Sequence, residues 1–316
     1  MKTTIFIDGA AGTTGLEIRE RLGARGDLNI IQLSETDRKQ AAPRARALNE
    51  ADIVILCLPD EAAREAVGLI GNSEVRVIDS STAHRVAAEW VYGFPEFEPG
   101  NYEKVASAKR LTNPGCYATG FLSLVRPLVL AELIPADAPL AVNAVSGYSG
   151  GGKSMIEEFE RPDSASYVAT VVRTYGLNLA HKHVPEMKER AGLTHAPVFA
   201  PSVGRYYRGM IVEVPLHLWS LPGAPSPKQL REALADAYRG RPLVDVASYE
   251  ETVALKTLDA EMLKNTNKLK IFVFGNDGSQ QARLVAVLDN LGKGASGAAV
   301  QNLNIMLGLP ETTGLM

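Results

Sequence analysis

Apolar positions in the first eighty residues come in short blocks, and the stretches between them carry helical spacing. Residues 3–8, 28–33, 53–58 and 75–78 are the blocks. The third, Ile-Val-Ile-Leu-Cys-Leu, has no polar interruption, which predicts a central parallel strand covered on both faces. Between the blocks, 16–25 places Leu16, Ile18 and Leu22 at helical spacing. The stretch 37–49 carries Pro43 near a first turn, and 61–70 opens after Asp60. Strand alternating with helix predicts a Rossmann-like α/β domain. Beyond Cys116 the rhythm changes. Residues 118–126 predict a helix, and longer β-rich runs follow at 140–146, 196–202, 211–218, 270–275 and 283–288, with the clearest helix at 227–238. Strands separated by loops predict an α+β domain with a mixed, largely antiparallel sheet. The expected division is 1–115, a nucleotide-binding domain completed by a C-terminal helix within 295–316, and 116–294, a catalytic and oligomerisation domain.

Composition narrows the class. The chain has 316 residues, 46% hydrophobic and 22% charged, enough apolar material for two cores. A net charge of −3 and a pI near 6.0 give no electrostatic case for nucleic acid or an anionic membrane. The opening MKTTIFIDGA is too short in apolar residues for a signal peptide, and no run approaches the ~18 apolar residues of a membrane span. Two cysteines do not make a disulfide framework, so a reducing cytoplasm is expected.

The glycines give the first chemistry. Gly9, Gly12 and Gly15 follow the first strand directly and run into the 16–25 helix, spaced GxxGxxG. Strand, glycine turn and helix form the setting in which backbone N–H groups cradle a pyrophosphate, and Thr13 and Thr14 can add hydroxyl donors. After the second strand, where Asp or Glu would hold a free ribose 2′-hydroxyl, the chain has Ser34 with Arg38 close by, although Glu35 lies between them. A hydroxyl and a guanidinium suit a 2′-phosphate, so NADP(H) is the expected cofactor. Leu58 and Pro59 end the central strand, and Ser80 follows the next one at the same edge, where a doubly wound sheet binds its ligand. Gly294, Gly297 and Asn302 belong to a second glycine turn opening a helix, expected to cover the nicotinamide. Cys57 lies inside a strand and is expected to be a core residue.

Cys116 stands in Asn113-Pro-Gly-Cys-Tyr-Ala-Thr-Gly120, with a tight turn before it and a helix after it. A cysteine at a helix N-terminus faces free N–H groups and the positive end of the dipole, which favours thiolate. Three features could serve it. Ser146-Gly-Tyr-Ser-Gly-Gly-Gly-Lys153 could line an anionic site, with Ser149 and Lys153 as side-chain donors, and lacks the spacing of an NTPase loop. His181-Lys-His-Val-Pro-Glu186 offers a general base; His183, next to the expected helix start, is preferred to His181. An HxH pair without a third ligand at suitable spacing does not predict a metal. The third feature is the Lys293–Asn302 turn.

Together these strings resemble the N-acetyl-gamma-glutamyl-phosphate reductases in their shorter form. The matching residues are 8–15, 57–60, 79–85, 113–120, 146–153, 181–186 and 293–302, in the family's order over nearly the whole chain. The resemblance implies NADPH-dependent reduction of an N-acetyl-glutamyl 5-phosphate to the semialdehyde with release of phosphate, the third step of arginine biosynthesis, through a Cys116 thioester assisted by His183. It further implies that Ser146, Gly150, Gly151 and Lys153, with an arginine such as Arg110 or Arg205, hold phosphate and carboxylate. No metal is implied, and a homodimer or homotetramer is expected. The related aspartate-semialdehyde dehydrogenases are the alternative. They must bind a free α-ammonium and usually offer a carboxylate for it, and the SGYSGGGK loop looks like the acetyl-glutamyl type, although Glu157 and Glu158 follow closely. A non-catalytic NADP-binding sensor is a second alternative; it would not need Cys116 and the HKH string together.

Overall fold

The four N-terminal apolar blocks become parallel neighbours in one sheet. The computed structural model describes residues 2–315. They divide into two compact units, one comprising the residues up to 95, 100–114 and those from 295 on, the other 96–99 and 115–294.

In the first unit the chain runs through β1 (Thr3–Asp8), α1 (Thr13–Gly23), β2 (Leu28–Ile31), α2 (Ala41–Glu50), β3 (Ile53–Leu56), α3 (Asp60–Gly68), β4 (Arg76–Asp79), β5 (Val91–Tyr92), α4 (Asn101–Ser107) and β6 (Arg110–Thr112). The six strands are ordered β2-β1-β3-β4-β6-β5, and every pair is parallel. β2 lies on one side of β1 and β3 on the other, so the loops leaving β1 and β3 diverge at the topological switch point. All of β3 is buried, as its unbroken apolar run requires. The helix expected over 37–49 splits in two. Asp37–Lys39 is a single 3₁₀ turn, Gln40 is extended, and α2 starts at Ala41. Pro43 therefore falls in the first turn, where its missing N–H leaves no bond unmade. The C-terminal helix Gly297–Met306 is buried along its whole length. Arg76 Nη1 donates to Met306 O (2.6 Å) and Arg25 Nη1 to Asn304 Oδ1 (2.9 Å), tying it to this unit.

The second unit contains α5 (Cys116–Leu130), β7 (Ala141–Gly147), α6 (Gly152–Glu160), β8 (Val172–Thr174), α7 (Val184–Ala191), β9 (Val198–Gly204), β10 (Met210–His217), α8 (Pro227–Ala237), β11 (Val244–Val246), α9 (Tyr249–Ala254), β12 (Leu269–Asn276) and β13 (Gln281–Leu288). Its seven strands are ordered β11-β12-β13-β10-β7-β9-β8. The β7–β9 and β11–β12 pairs are parallel and the other four antiparallel, the mixed sheet that the strand spacing predicts. α5 packs on this sheet through Gly120: a Cβ there would lie 2.6 Å from Val212 Cγ2. The helix is longer than its sequence suggests, starting at Cys116 itself and continuing through Pro127. Proline cannot donate to the carbonyl of Ser123 four residues back. The buried Tyr238 hydroxyl donates to that carbonyl instead (2.9 Å).

Candidate active site

Cys116 is the first residue of the fifteen-residue helix α5, with Gly115 as its extended N-cap. The Gly115 amide donates to Glu186 Oε1 (2.9 Å), and Gly115 O accepts from the amide and hydroxyl of Thr119. The thiol is half-buried. Gly294 packs directly on it: a Cβ at Gly294 would come within 2.7 Å of Cys116 Cβ. Neighbouring Gly292 is equally constrained, because a Cβ there would lie 2.1 Å from Thr266 O.

Both histidines pack against Tyr117, the residue after the thiol. Tyr117's ring centroid lies 5.8 Å from that of His181 and 5.9 Å from that of His183, and the two imidazoles are 4.8 Å apart. His183 is the N-cap of α7 and is buried, whereas His181 is half-buried and accepts the His183 amide at Nδ1 (3.1 Å). Tyr117 receives a hydrogen bond from the Tyr175 hydroxyl (3.0 Å). Burial first, then the neighbouring Tyr175 and Cys116, hold its phenol well above the usual range, so Tyr117 stays neutral.

The SGYSGGGK loop is fixed by backbone bonds from Gly147, Tyr148 and Ser149 to Gly209, Tyr206 and Tyr207. Ser149 Oγ accepts from Asn290 Nδ2 (2.9 Å), which leaves its own hydrogen to donate, while Asn290 Oδ1 accepts the Gly209 amide (2.8 Å). A Cβ at Gly150 would touch Ser146 Oγ and Asn290 Nδ2, so Ser146, Ser149, Gly150 and Asn290 share one neighbourhood. Ser146 Oγ itself donates to Gly147 O. A Cβ at Gly151 would meet Met155 at 2.6 Å, and Lys153 is exposed in the first turn of α6. Beside Asn290, the fully buried Asp289 carboxylate pairs with Arg208 Nε (2.9 Å) and accepts the amides of Asn265, Leu291 and Gly292, while its carbonyl accepts the Gly294 amide. One polar hub thus positions both the glycine loop and the residue packed on the thiol.

Both arginines expected from the resemblance direct their guanidinium groups to backbone carbonyls. Arg110 opens β6, at the strand end opposite the turn to Cys116, and its Nη1 donates to the carbonyls of Val75 and Lys109. Arg205 spends its guanidinium on the carbonyls of Phe159, Val168 and Thr170 and stacks over Phe159 and Tyr167. Sequence reading in turn gives no role to Glu186, Arg208, Asp289 and Asn290. Glu186 lies inside a string already conspicuous for its histidines, and Asp289-Asn290 is a polar pair ending an apolar strand just before a glycine turn. Among the described residues no group of three His, Cys, Asp or Glu could hold a metal.

The nucleotide features lie in the first unit. Gly9 has φ +86°, and a Cβ there would lie 2.3 Å from Cys57 O; one at Gly15 would lie 2.6 Å from Gly9 O. The Gly12 amide donates to Gly9 O (3.0 Å), closing the turn, and Thr14 lies with Thr13 at the start of α1. Thr13 Oγ1 is buried with no partner among the described residues, a donor left for a ligand oxygen. Beside the turn is a cavity of about 410 Å³ bordered by Gly9, Ala10, Leu33, Arg38, Lys39 and Leu58. Ser34 differs from expectation: its hydroxyl is held by Asp37 (2.8 Å), and it shapes the loop. Arg38 borders the cavity while pairing with Glu35 (2.9 Å), and Lys39 adds a second cation that the sequence reading omitted. Pro59 caps α3, and the Ser80 amide donates to Leu56 O at the end of β3. Gly297 and Asn302 are buried in the C-terminal helix. Asn302 Nδ2 donates to Gly93 O and Asn113 Oδ1, while its own Oδ1 has no partner among the described residues. The glycine cradle, the orphaned hydroxyl and the cationic cavity fit a dinucleotide. Cys57 is half-buried just after β3, and desolvation of its thiol pushes the pKa up to about 12.

A dinucleotide cradle in one unit and a thiol with histidines in the other describe a class of dehydrogenase. Residues 4–105 match the semialdehyde dehydrogenase NAD binding domain and residues 116–290 the semialdehyde dehydrogenase dimerisation domain, and the chain belongs to the semialdehyde dehydrogenase family. Its cofactor is therefore a nicotinamide dinucleotide. Solved structures of the same fold include aspartate semialdehyde dehydrogenase II of Vibrio cholerae complexed with ASA, with a TM-score of 0.73, 15% identity, and 98% and 99% of the two chains covered. Aspartate semialdehyde dehydrogenase of Francisella tularensis gives 0.70, 14%, 96% and 100%. At such identity the likeness is one of fold. In sequence the chain is 51% identical over 320 residues to N-acetyl-gamma-glutamyl-phosphate reductase 2 of Nostoc sp., covering 99% of each. It is 53% identical over 309 residues to the N-acetyl-gamma-glutamyl-phosphate reductase of Brucella anthropi, covering 98% of this chain and 99% of that one. Within the larger family it stands among the N-acetyl-gamma-glutamyl-phosphate reductases.

Proposed function

We propose that this chain reduces N-acetyl-L-glutamyl 5-phosphate to N-acetyl-L-glutamate 5-semialdehyde, with release of phosphate, through a thioester on Cys116. The observation that carries the reading is the placement of Cys116 at the first position of α5, with Gly294 packed on its Cβ and the amide before it held by the helix that His183 heads. Cys116 Sγ, as thiolate, attacks the acyl carbon; the acyl C–O bond to phosphate breaks and phosphate departs with that electron pair. The amides of Gly150 and Gly151, the Ser149 hydroxyl and Lys153 are the donors suited to the anionic group. A bound nicotinamide would supply the hydride. His183, having taken the Cys116 thiol proton as the thiolate formed, gives it to the oxyanion left by hydride addition and takes it back as the C–S bond breaks, freeing aldehyde and thiolate. Such proton transfer is typically worth ~10²–10⁴ in rate. Arg38 and Lys39 at the cavity favour NADPH, whose 2′-phosphate they would meet.

The dimerisation-domain match supports a homodimer or homotetramer, and two free cysteines suit the reducing cytoplasm. The test is the reverse reaction: NADP⁺ reduction with phosphate present, comparing N-acetyl-glutamate semialdehyde with aspartate semialdehyde. The acetylated substrate is expected to be strongly preferred, and preference for the aspartyl compound would overturn the assignment.

A further inference from the structure

Glu186 is a buried carboxylate, 1% exposed, whose Oε1 accepts the amide hydrogen of Gly115 across 71 residues of sequence. Taking a carboxylate out of water costs several kcal/mol unless its bonds offset the loss. Its position is specific. Gly115 is the N-cap of α5 and Cys116 its first residue, while His183 is the N-cap of α7 and Glu186 lies three residues on. The two helices run side by side in the same direction: Glu186 meets Gly115 at one end, and Arg126 Nη1 donates to Ala191 O at the other. A single charge-assisted bond therefore fixes the start of the nucleophile-bearing helix to the start of the helix that carries the histidine.

We infer that Glu186 is a positioning residue that holds Cys116 and His183 in register by clamping the Gly115 amide. The inference rests on the thioester reading above. It separates bond from charge. E186Q keeps a carbonyl oxygen able to accept from Gly115 and loses the negative charge at the N-cap of α5. E186A loses both, and E186D keeps the charge on a chain one methylene too short to hold the same distance.

Turnover and Cys116 alkylation by iodoacetamide across pH are measured on the full chain, with cofactor binding and far-UV circular dichroism to show that each variant is folded. E186A is expected to lower kcat by about 100-fold, the scale of a misplacement near 1 Å, with KM little changed. E186Q is expected to retain most of kcat. In both variants the alkylation profile should move to lower pH, because an anion at the N-cap amide next to Cys116 in the chain has been removed, a change that loss of packing would not produce. If E186A does not fold, E186D takes its place and is expected to be slow where E186Q is fast. E186A or E186D turning over like the parent, or E186Q as slow as either, would overturn the inference, as would unmoved alkylation profiles. Activity surviving in C116A would instead overturn the thioester reading, whatever Glu186 does.

Discussion

Cys57 and Cys116 carry the same thiol in opposite settings. Cys57 is half-buried just after β3, and desolvation of its sulfur pushes its pKa up to about 12, so it remains protonated at any pH near neutral. Cys116 is half-buried at a helix N-terminus. Iodoacetamide at pH 7.5 is therefore expected to add one group per native chain, at Cys116, and none in C116A; intact-mass and peptide spectra read this directly. Labelling of Cys57 in the native protein would contradict its raised pKa. The histidines divide in the same way. H183N is expected to lose ~10²–10⁴ in kcat and H181N much less, since general acid–base help is of that size and His181 has already given Nδ1 to a backbone amide. The reverse order would move the proton-transfer role to His181. At Gly294 a single methyl group decides the geometry. The Cβ of G294A would lie 2.7 Å from Cys116 Cβ, closer than carbon atoms approach, so turnover should fall sharply while cofactor binding, measured by NADPH fluorescence, persists.

At the level of elements, α5 shows how a helix carries a proline. Pro127 removes the donor to Ser123 O, and Tyr238, beyond the end of α8, supplies a hydroxyl in its place. Y238F keeps the ring and strands the carbonyl, so it is expected to destabilise the protein by about 1–3 kcal/mol, read as a lowered urea midpoint with unchanged slope. An unchanged midpoint would mean that another donor reaches Ser123. The sequence could not foretell this bond, because it joins positions 115 residues apart. What it made legible was local. The apolar run of β3, the glycine turn before α1, and the Pro-Gly-Cys entry to α5 announce themselves through backbone chemistry confined to a few neighbours. The short strands β5, β6, β8 and β11 escaped because two or three residues carry no period. The carbonyl partners of Arg110 and Arg205 were hidden for a related reason. A guanidinium's charge is visible in sequence, but the carbonyls that occupy it are not. Asn290 and Glu186 were overlooked because their partners, Ser149 and Gly115, lie 141 and 71 residues away.

For the whole molecule, ionisable groups held neutral by burial set an alkaline limit on stability, and they occur in both units. Cys57 in the first unit and Tyr175 in the second are each pushed up to about 12, chiefly by desolvation. Burial likewise holds Tyr117 and Tyr238 well above the phenol's usual value. In the unfolded chain these groups return to roughly 8.5 for the thiol and 10 for the phenols. Above those values the unfolded chain has released protons that the folded chain still binds. The slope of unfolding free energy with pH follows protons bound unfolded minus protons bound folded, so it is negative there. The stabilising difference is fully present below about pH 8 and is lost as pH rises towards the folded values. Each group removes up to about 1.4 kcal/mol per pH unit across its own window. Urea unfolding at pH 7.5, 9 and 10.5 should therefore show a midpoint that holds to about pH 8 and then falls progressively. Y175F, which cannot ionise, should fall less steeply above pH 10. A midpoint flat to pH 10.5, or a Y175F curve parallel to that of the parent, would show that these side chains reach water in the folded protein and are not the enclosed neutral groups their burial describes.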